Sequence, residues 1–185
     1  MHAPDRSTIR TEVVVIGAGP CGLFQVFELG LLGIGAHVVD SLRSAGGQCT
    51  ELYPDKPIYD IPALPVCGAQ ELVDRLMQQI HPFNAPFHLG QEVTALGEAG
   101  GGRFHVRTAA GTSFDCGAVV IAAGVGSFQP RRIGLAGAEV FEGTRIHYRV
   151  KNAADFHGRR LVIFGGGDSA LDWTLDFAGK AHSVT

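Results

Sequence analysis

The chain has 185 residues and a nearly balanced charge, with 15 lysines and arginines against 18 aspartates and glutamates. This balance excludes the basic excess typical of proteins that bind nucleic acids or anionic membranes. Hydrophobic residues make up 45% of the chain and charged residues 18%, which excludes a disordered polymer and predicts a globular protein. Glycine is the one clear excess, at 26 residues, and is typical of tight turns and of backbone that approaches a ligand closely.

The cysteines and histidines form no recognisable site pattern. Cys21, Cys49, Cys67 and Cys116 include no Cys-x-x-Cys pair, and their spacing suits neither a zinc site nor a disulfide framework. No His-Glu-x-x-His occurs, so no metal site is predicted. Residues 1–12 lack the apolar core of a signal peptide, and the apolar runs are too short to span a bilayer. We therefore expect a cytoplasmic protein with reduced thiols.

The start of the chain predicts a βαβ unit. Val13–Ile16 is a continuous β-branched run, typical of a buried parallel strand. A glycine turn over residues 17–22 follows at once. Leu23–Leu32 has the composition of a mostly buried helix, and Ala36–Asp40 is predicted to be the second strand. These elements occupy about 28 residues, the size of a βαβ unit.

Ser41–Gly68 shows neither helical nor strand periodicity. It contains four prolines and the pair Gly46-Gly47. A structureless stretch of this length is uncommon in a compact domain and is usually either functional or disordered. Because the segment is also rich in Tyr, Ile, Leu and Val, we predict that it is ordered and wraps a ligand.

The middle of the chain predicts one helix and a small antiparallel meander. Gln70–Ile80 has apolar residues at helical spacing and charges opposite them, which indicates an amphipathic surface helix. Glycine-rich turns separate three short predicted strands, Glu92–Leu96, Arg103–Thr108 and Ser113–Asp115. A separate buried strand of the parallel type is predicted over Val119–Gly124.

The pattern of strand, glycine turn and helix then recurs. Leu161–Phe164 is predicted to be a buried strand, Leu171–Phe177 the start of a helix, and His182–Thr185 the entrance to another strand. Because a βαβ unit needs its second strand, we expect the sequence to be part of a longer protein. The predicted division is a first domain over residues 1–117, then a connection and the start of a second domain over residues 118–185.

The first glycine turn carries the dinucleotide-binding fingerprint, Gly17-x-Gly19-x-x-Gly22, with Asp40 at the end of the next strand. Gly17 permits the tight turn. Gly19 lets the backbone approach a pyrophosphate, and Gly22 lets the helix and strand pack closely. The alternative is a glycine-rich turn with no ligand, but the strand and helix on either side favour a nucleotide site.

The residues around this turn favour FAD or NAD over NADP. The Asp40 carboxylate would accept hydrogen bonds from a ribose diol and would repel a 2′-phosphate. The N–H groups near Pro20, Cys21 and Gly22, together with the helix dipole, would bind phosphate charge. Cys21 is therefore interpreted as a small residue that contributes its backbone, rather than as a reactive thiol.

The second glycine turn, Gly165-x-Gly167-x-x-Ala170, follows the predicted strand before it, and alanine is an accepted variant at the third position. The residue that would bind the second ribose lies beyond Thr185. Two such turns predict two nucleotides, with FAD at the first and a nicotinamide nucleotide at the second. The alternative is again a structural turn.

Five segments together resemble one family. They are residues 17–24 (GAGPCGLF), 46–48 (GGQ), 52–62 (LYPDKPIYDIP), 122–130 (AAGVGSFQP) and 165–173 (GGGDSALDW). The chain resembles the ferredoxin–NADP reductases of the thioredoxin-reductase-like type, and the block over residues 52–62 separates it from the thioredoxin reductases themselves. The resemblance implies an α/β fold, the three-layer (ββα) FAD/NAD(P)-binding fold, with two Rossmann-like domains that are both incomplete in this chain.

The resemblance also implies binding residues for two cofactors. In such proteins Asp40 would hold the FAD ribose, Gln48 and Tyr53 would line the flavin side, Val93 would meet the adenine through its backbone, and Phe128 would lie by the flavin. With the first glycine turn, the FAD set is Gly17, Gly19, Pro20, Cys21, Gly22, Asp40, Gln48, Tyr53, Val93 and Phe128. The NADP set is Gly165, Gly167, Asp168, Ser169 and Ala170.

The activity implied by the resemblance is electron transfer between NADPH and ferredoxin or flavodoxin through FAD, in a homodimer. No side chain is expected to act as an acid or base, because the cofactors carry the chemistry. The lack of a Cys-x-x-Cys pair excludes a disulfide relay within these 185 residues. Two alternatives remain: another NAD(P)H–flavin reductase, such as a thioredoxin-reductase-like enzyme with its thiols elsewhere, and a non-catalytic truncated fragment.

Overall fold

The computed structural model describes residues 8–52, 54, 56–127, 132–150 and 152–185. The described residues up to 127 form one compact unit, and those from 132 onward form a second. The domain boundary predicted between residues 117 and 118 falls inside a strand of the first unit, so the structure groups the residues up to 127 with that unit.

The first unit contains three helices and eight strands among its described residues. Strands and helices alternate at the start, and a run of strands follows the third helix. The elements are β1 (Ile9–Ile16), α1 (Pro20–Leu31), β2 (Ala36–Val39), α2 (Gln48–Glu51), β3 (Pro57–Ile58), β4 (Cys67–Gly68), α3 (Ala69–Ile80), β5 (Phe87–His88), β6 (Val93–Gly100), β7 (Arg103–Thr108) and β8 (Ser113–Ile121).

Six of these strands form one sheet in the order β5-β2-β1-β8-β7-β6. The pairs among β5, β2, β1 and β8 are parallel, and β8-β7 and β7-β6 are antiparallel. The predicted parallel sheet with an antiparallel meander is therefore confirmed. Strand β8 belongs to both parts, because it pairs with β1 on one side and with β7 on the other.

The prediction of two separate strands over Ser113–Asp115 and Val119–Gly124 is wrong, because β8 runs without a break from Ser113 to Ile121. Gly117 lies between the two predicted strands. In the structure a Cβ at this position would lie 3.2 Å from the carbonyl oxygen of Glu12 in β1. The glycine therefore lets two strands approach closely and does not interrupt the ladder.

Alternate residues of the parallel strands face two apolar layers. Val13, Val15 and Val38 pack against Leu23 of α1 and Val73 of α3. Each fully buried valine or leucine contributes about 1.5–3 kcal/mol relative to an exposed one. The two predicted helices thus form the layer on one face of the sheet.

The other face of the sheet is covered by the meander. Val14 and Val39 are completely buried there, in one cluster with Val106, Phe114 and Cys116 of β7 and β8. The meander strands continue the sheet at its edge and also supply the second apolar layer. Both faces of the parallel strands are therefore buried, which explains why the second half of β1, Val13–Ile16, is continuously apolar.

The described residues of the segment Ser41–Gly68 form little regular structure, but hydrogen bonds connect them to the glycine turn after β1 and to the start of α3. It forms the single-turn helix α2 and the short antiparallel ribbon β3-β4, in which Ile58 pairs with Cys67. The Gly46 N–H donates to the carbonyl of Ala18 at 2.8 Å. The segment therefore packs against the glycine turn that follows β1.

The second unit repeats the strand–turn–helix pattern on a smaller scale. It contains β9 (Arg160–Leu161), α4 (Asp168–Phe177) and β10 (Ser183–Val184), with β9 and β10 parallel. The strand predicted over Leu161–Phe164 is shorter than expected, because only two residues of β10 pair with it. No helix within the described ranges is long and apolar enough to cross a bilayer.

Candidate nucleotide-binding sites

The turn between β1 and α1 is held in a shape that requires glycine at two positions. Gly17 has φ +110°, and a Cβ there would lie 2.2 Å from the carbonyl oxygen of Ala122. A Cβ at Gly22 would lie 1.9 Å from the carbonyl oxygen of Gly17. Both distances are far below van der Waals contact, so the turn is tight at its start and α1 packs directly onto it.

The middle of the turn faces a second pair of glycines. Gly19 precedes α1 in an extended conformation, and Pro20 occupies the first helical turn, where the missing N–H of proline costs nothing. A Cβ on Gly47 would lie 3.0 Å from the Cα of Gly19. The two backbones therefore meet without side chains between them, which leaves a bare peptide surface beside the amino terminus of α1.

Asp40 fixes this turn to the end of β2. Its Oδ2 accepts a hydrogen bond from the Ala18 N–H at 2.6 Å, and its Oδ1 accepts one from the Leu42 N–H at 2.7 Å. The residue is only 9% exposed. Each carboxylate oxygen keeps a further lone pair, so the side chain can still accept hydrogen bonds from the hydroxyls of a ligand.

These elements enclose a cleft of about 420 Å³ at the carboxyl ends of β1, β2 and β8. Its size lies within the range of small-molecule sites, about 300–1,000 Å³. Ligands of open parallel sheets bind at this end of the strands. The cleft is lined by seven of the residues predicted to bind FAD, namely Gly17, Gly19, Pro20, Cys21, Asp40, Gln48 and Val93.

One further predicted FAD residue that the structure describes, Gly22, is not part of the cleft lining. Gly22 packs against the backbone of Gly17, where there is no space for a Cβ. It therefore supports the turn but does not line the cleft. Tyr53 and Phe128 fall outside the described residues. Their proposed contacts with a flavin stay predictions.

The structure also brings residues to the cleft that were not predicted as binding residues. Residues 122–127 follow β8 directly and line one wall, and Cys49, Gln91 and Glu92 line others. The closely spaced glycines of the segment after β8, Gly124 and Gly126, were a usable signal. No comparable signal in the sequence indicated Gln91, because the preceding strand β5 contains only two residues and is too short to show an alternating apolar pattern.

The cleft fits a dinucleotide by its shape and charge. The amino terminus of α1 points its partial positive charge toward the cleft, and no acidic residue lies in its first turn. Together with the bare backbone of Gly19 and Gly47, this is the environment that a pyrophosphate requires. The Asp40 carboxylate stands at the side where a ribose diol would follow.

The Cys49 thiol, which lines this cleft, does not have the character of a nucleophile. Burial raises the pKa of the Cys49 thiol, and the neighbouring Cys67 and Cys21 raise it further. A protonated thiol is a poor nucleophile. Cys21, Cys49, Cys67 and Cys116 are all free, and among the described residues no group of three potential ligands is arranged to hold a metal ion.

The second glycine turn has a related form in the second unit. Gly165 has φ +154°, and a Cβ there would lie 3.6 Å from the Cβ of Ala170. Gly167 precedes α4 in an extended conformation, and its carbonyl accepts the Ala170 N–H at 2.9 Å. Asp168 and Ser169 occupy the first turn of α4, and the turn is exposed.

Two strand–glycine-turn–helix units, one of them with an acidic residue at the end of its second strand, define the class of dinucleotide-binding α/β proteins. Residues 14–185 match the family model described as pyridine nucleotide-disulphide oxidoreductase. The chain belongs to this family. The family is one of FAD- and NADP-binding oxidoreductases, which confirms the fold class and the two cofactors predicted from the sequence.

Curated relatives are similar over almost the whole chain. A protein named ferredoxin–NADP reductase 2 from Cupriavidus metallidurans is 59% identical over 181 residues, which is 98% of this chain and 49% of the relative. A ferredoxin–NADP reductase from Albidiferax ferrireducens is 63% identical over 180 residues, 95% of this chain and 51% of the relative. The resemblance seen in the sequence is thereby confirmed, and the chain spans about half the length of these relatives.

A solved structure of similar fold is the bacillithiol disulfide reductase of Staphylococcus aureus. It matches with a TM-score of 0.73 at 18% identity, over 96% of this chain and 56% of that protein. At this identity the likeness concerns the fold alone.

Proposed function

We propose that the protein of which this chain is a part is a flavoprotein that transfers electrons from NADPH to ferredoxin or flavodoxin through FAD. The observation that carries this proposal is the cleft of the first unit, which is lined by a glycine turn, a helix amino terminus and Asp40. The names of the relatives supply the electron donor and acceptor.

FAD is the cofactor best suited to the first cleft. A 2′-phosphate beside Asp40 would place two negative charges together in a poorly hydrated site, which costs free energy. A ribose diol would instead donate to the carboxylate. The pyrophosphate would lie against Gly19 and the start of α1, and the flavin would lie toward Gln48 and residues 122–127.

NADPH is proposed to bind at the second glycine turn. The exposed backbone of Gly165 and Gly167 and the amino terminus of α4 are suited to its pyrophosphate. The preference for NADPH over NADH rests on the names of the relatives. When both cofactors are bound, NADPH supplies a hydride to the flavin, which then passes on single electrons. The role of this chain is to bind and orient the cofactors.

A one-electron acceptor is favoured over a disulfide for a chemical reason. A disulfide relay needs two neighbouring thiols of lowered pKa. The 185 residues contain no Cys-x-x-Cys pair, and the pKa of the Cys49 thiol at the cleft is raised.

We further propose that the protein acts as a cytoplasmic homodimer.

The test compares electron acceptors for the full-length protein loaded with FAD. With NADPH as donor, cytochrome c reduction should depend on added ferredoxin or flavodoxin, and NADH should be a poorer donor. Oxidised thioredoxin should not be reduced under the same conditions. Reduction of thioredoxin without ferredoxin would assign the protein to the disulfide reductases instead, and failure with every acceptor would contradict the proposed activity.

A further inference from the structure

Gln91 connects the end of β2 with the meander and lines the cleft. It lies in the turn between β5 and β6. Its backbone N–H donates to the carbonyl of Asp40 at 2.8 Å, and its side-chain Oε1 accepts a hydrogen bond from the Thr108 hydroxyl at 3.0 Å. Gln91 is therefore placed beside the residue proposed to bind the ribose of FAD.

Thr108 is buried, and its hydroxyl both donates and accepts a hydrogen bond. The residue is 2% exposed and lies at the end of β7, paired with Val93 of β6. Its Oγ1 accepts the Thr112 N–H at 3.2 Å. Because a hydroxyl carries a single proton, that proton is directed to Gln91, and the acceptor there must be the amide oxygen.

The orientation of the Gln91 amide follows from these contacts. With the oxygen held by Thr108, the amide nitrogen is the end of the side chain that can donate to a ligand. A flipped amide would set N–H against O–H at Thr108 and would leave a buried hydroxyl without an acceptor, which is unfavourable.

We propose that Gln91 donates a hydrogen bond to the adenosine group of FAD and that Thr108 is a positioning residue that fixes the Gln91 amide for this contact. The inference rests on the proposed function, because it takes FAD to be the occupant of the first cleft. The contact would recognise an acceptor on the adenine or its ribose, next to the hydroxyls bound by Asp40. It would not concern the flavin, which lies at the other end of the cleft.

The experiment measures the affinity of the full-length protein, of which this chain is a part, for FAD, ADP and FMN. The variants are Thr108→Val, Thr108→Ser, Gln91→Met and the double variant Thr108→Val/Gln91→Met. Thr144→Val is the matched control, because the Thr144 hydroxyl also donates to a carbonyl, that of Phe141 at 3.0 Å, but in an exposed turn of the second unit. Amide hydrogen exchange over residues 91–93 is measured in the same proteins without ligand.

We expect Thr108→Val and Gln91→Met each to weaken FAD and ADP binding about tenfold, the scale of one lost hydrogen bond with a buried partner. FMN, which has no adenosine, should bind to the variants with the same affinity as to the unsubstituted protein. Thr108→Ser and the control should retain affinity. Thr108→Val should have no further effect in the Gln91→Met background, because the two residues act as one unit. Exchange over residues 91–93 should be faster in Thr108→Val.

Three results would overturn the inference. They are unchanged FAD and ADP affinity in Thr108→Val, an equal loss for FMN, and full additivity of the two substitutions. If the full-length protein bound neither FAD nor ADP, the proposed function would fail for this cleft. The exchange measurement would then decide separately whether Thr108 holds residues 91–93, and unchanged exchange would overturn that part.

Discussion

The carboxylate of Asp40 has two structural partners, the backbone N–H groups of Ala18 and Leu42. One bond fixes the glycine turn, and the other fixes the chain as it leaves β2. A ligand that donates to the same carboxylate would therefore bind to a side chain that is already oriented. Such preorganisation reduces the entropy lost on binding.

Replacement of Asp40 should weaken FAD binding. Asp40→Ala removes the proposed ribose acceptor and releases the Ala18 N–H, and the expected loss is about 1–3 kcal/mol, the scale of a hydrogen bond to a charged group. The measurement is a titration followed by flavin fluorescence. Asp74→Ala is the control, because Asp74 is exposed on α3, away from the cleft lining, and its carboxylate accepts a hydrogen bond from the Gln70 amide at 2.8 Å. Equal FAD affinity in a folded Asp40→Ala protein would contradict the assignment.

Gly22 should be more sensitive to substitution than a glycine in open space. In Gly22→Ala the Cβ would lie 1.9 Å from the Gly17 carbonyl oxygen, so α1 must move away from the turn. The expected loss in the free energy of unfolding is about 1–3 kcal/mol, as for overpacked cores. Gly97→Ala is the control, because no atom lies within 4 Å of its added Cβ. Urea denaturation of both variants measures the difference, and equal stabilities would refute the account of Gly22.

The long elements follow from local sequence patterns, and the short ones do not. The predicted strand Val13–Ile16 lies within β1. Helix α3 contains the whole predicted helix Gln70–Ile80 and begins one residue earlier, at Ala69. Both are strongly patterned. Strand β5 has two residues and exists only because it pairs with β2. Pairing between distant residues cannot be derived from local periodicity.

The β2–β5 pair contains two histidines that should make stability depend on pH. His37 Nδ1 and His88 Nε2 are 2.9 Å apart. Burial lowers the pKa of both side chains, and His88 lowers the pKa of His37 further by charge repulsion. The folded state therefore binds fewer protons than the unfolded state as the pH falls below about 6.5, the ordinary histidine pKa.

Stability from this pair should be fully present above about pH 6.5 and should be lost as the pH falls through the lowered pKa values of the folded state. Urea midpoints measured between pH 7.5 and 5.5 should decline. In His37→Phe the decline should be smaller, because one titrating group of the pair is gone. His157→Gln, at an exposed position of the second unit, should decline like the original chain. An identical pH profile in His37→Phe would exclude the pair as the cause.

The segment between β2 and α3 should be protected by FAD. Gly46 and Gly47 pack on the glycine turn, and Gln48 lines the cleft. A bound dinucleotide would therefore contact both sides of this segment and reduce its opening. Limited proteolysis should cut residues 41–68 more slowly with FAD than without it, while cleavage in the second unit serves as the internal control. Rapid cutting within residues 41–68 in both states would refute the prediction.

At the scale of the whole molecule, two nucleotide turns lie on two compact units. The turns were predictable because each combines a strand, closely spaced glycines and a helix within a few residues. The grouping of residues 118–121 with the first unit was not, because it depends on the long pairing of β8 with β1. Gln91 and Glu92, which line the cleft from the turn before β6, were missed for the same reason.

The proposed function requires that the full-length protein binds FAD and NADPH so that a hydride can pass from NADPH to the flavin. The most direct measurement is the anaerobic addition of one equivalent of NADPH to the full-length protein loaded with FAD. The readout is the absorption band of oxidised flavin at about 450 nm. The account predicts that this band is lost with NADPH and returns when oxidised ferredoxin or flavodoxin is added. A band that stays unchanged with NADPH while FAD remains bound would contradict it.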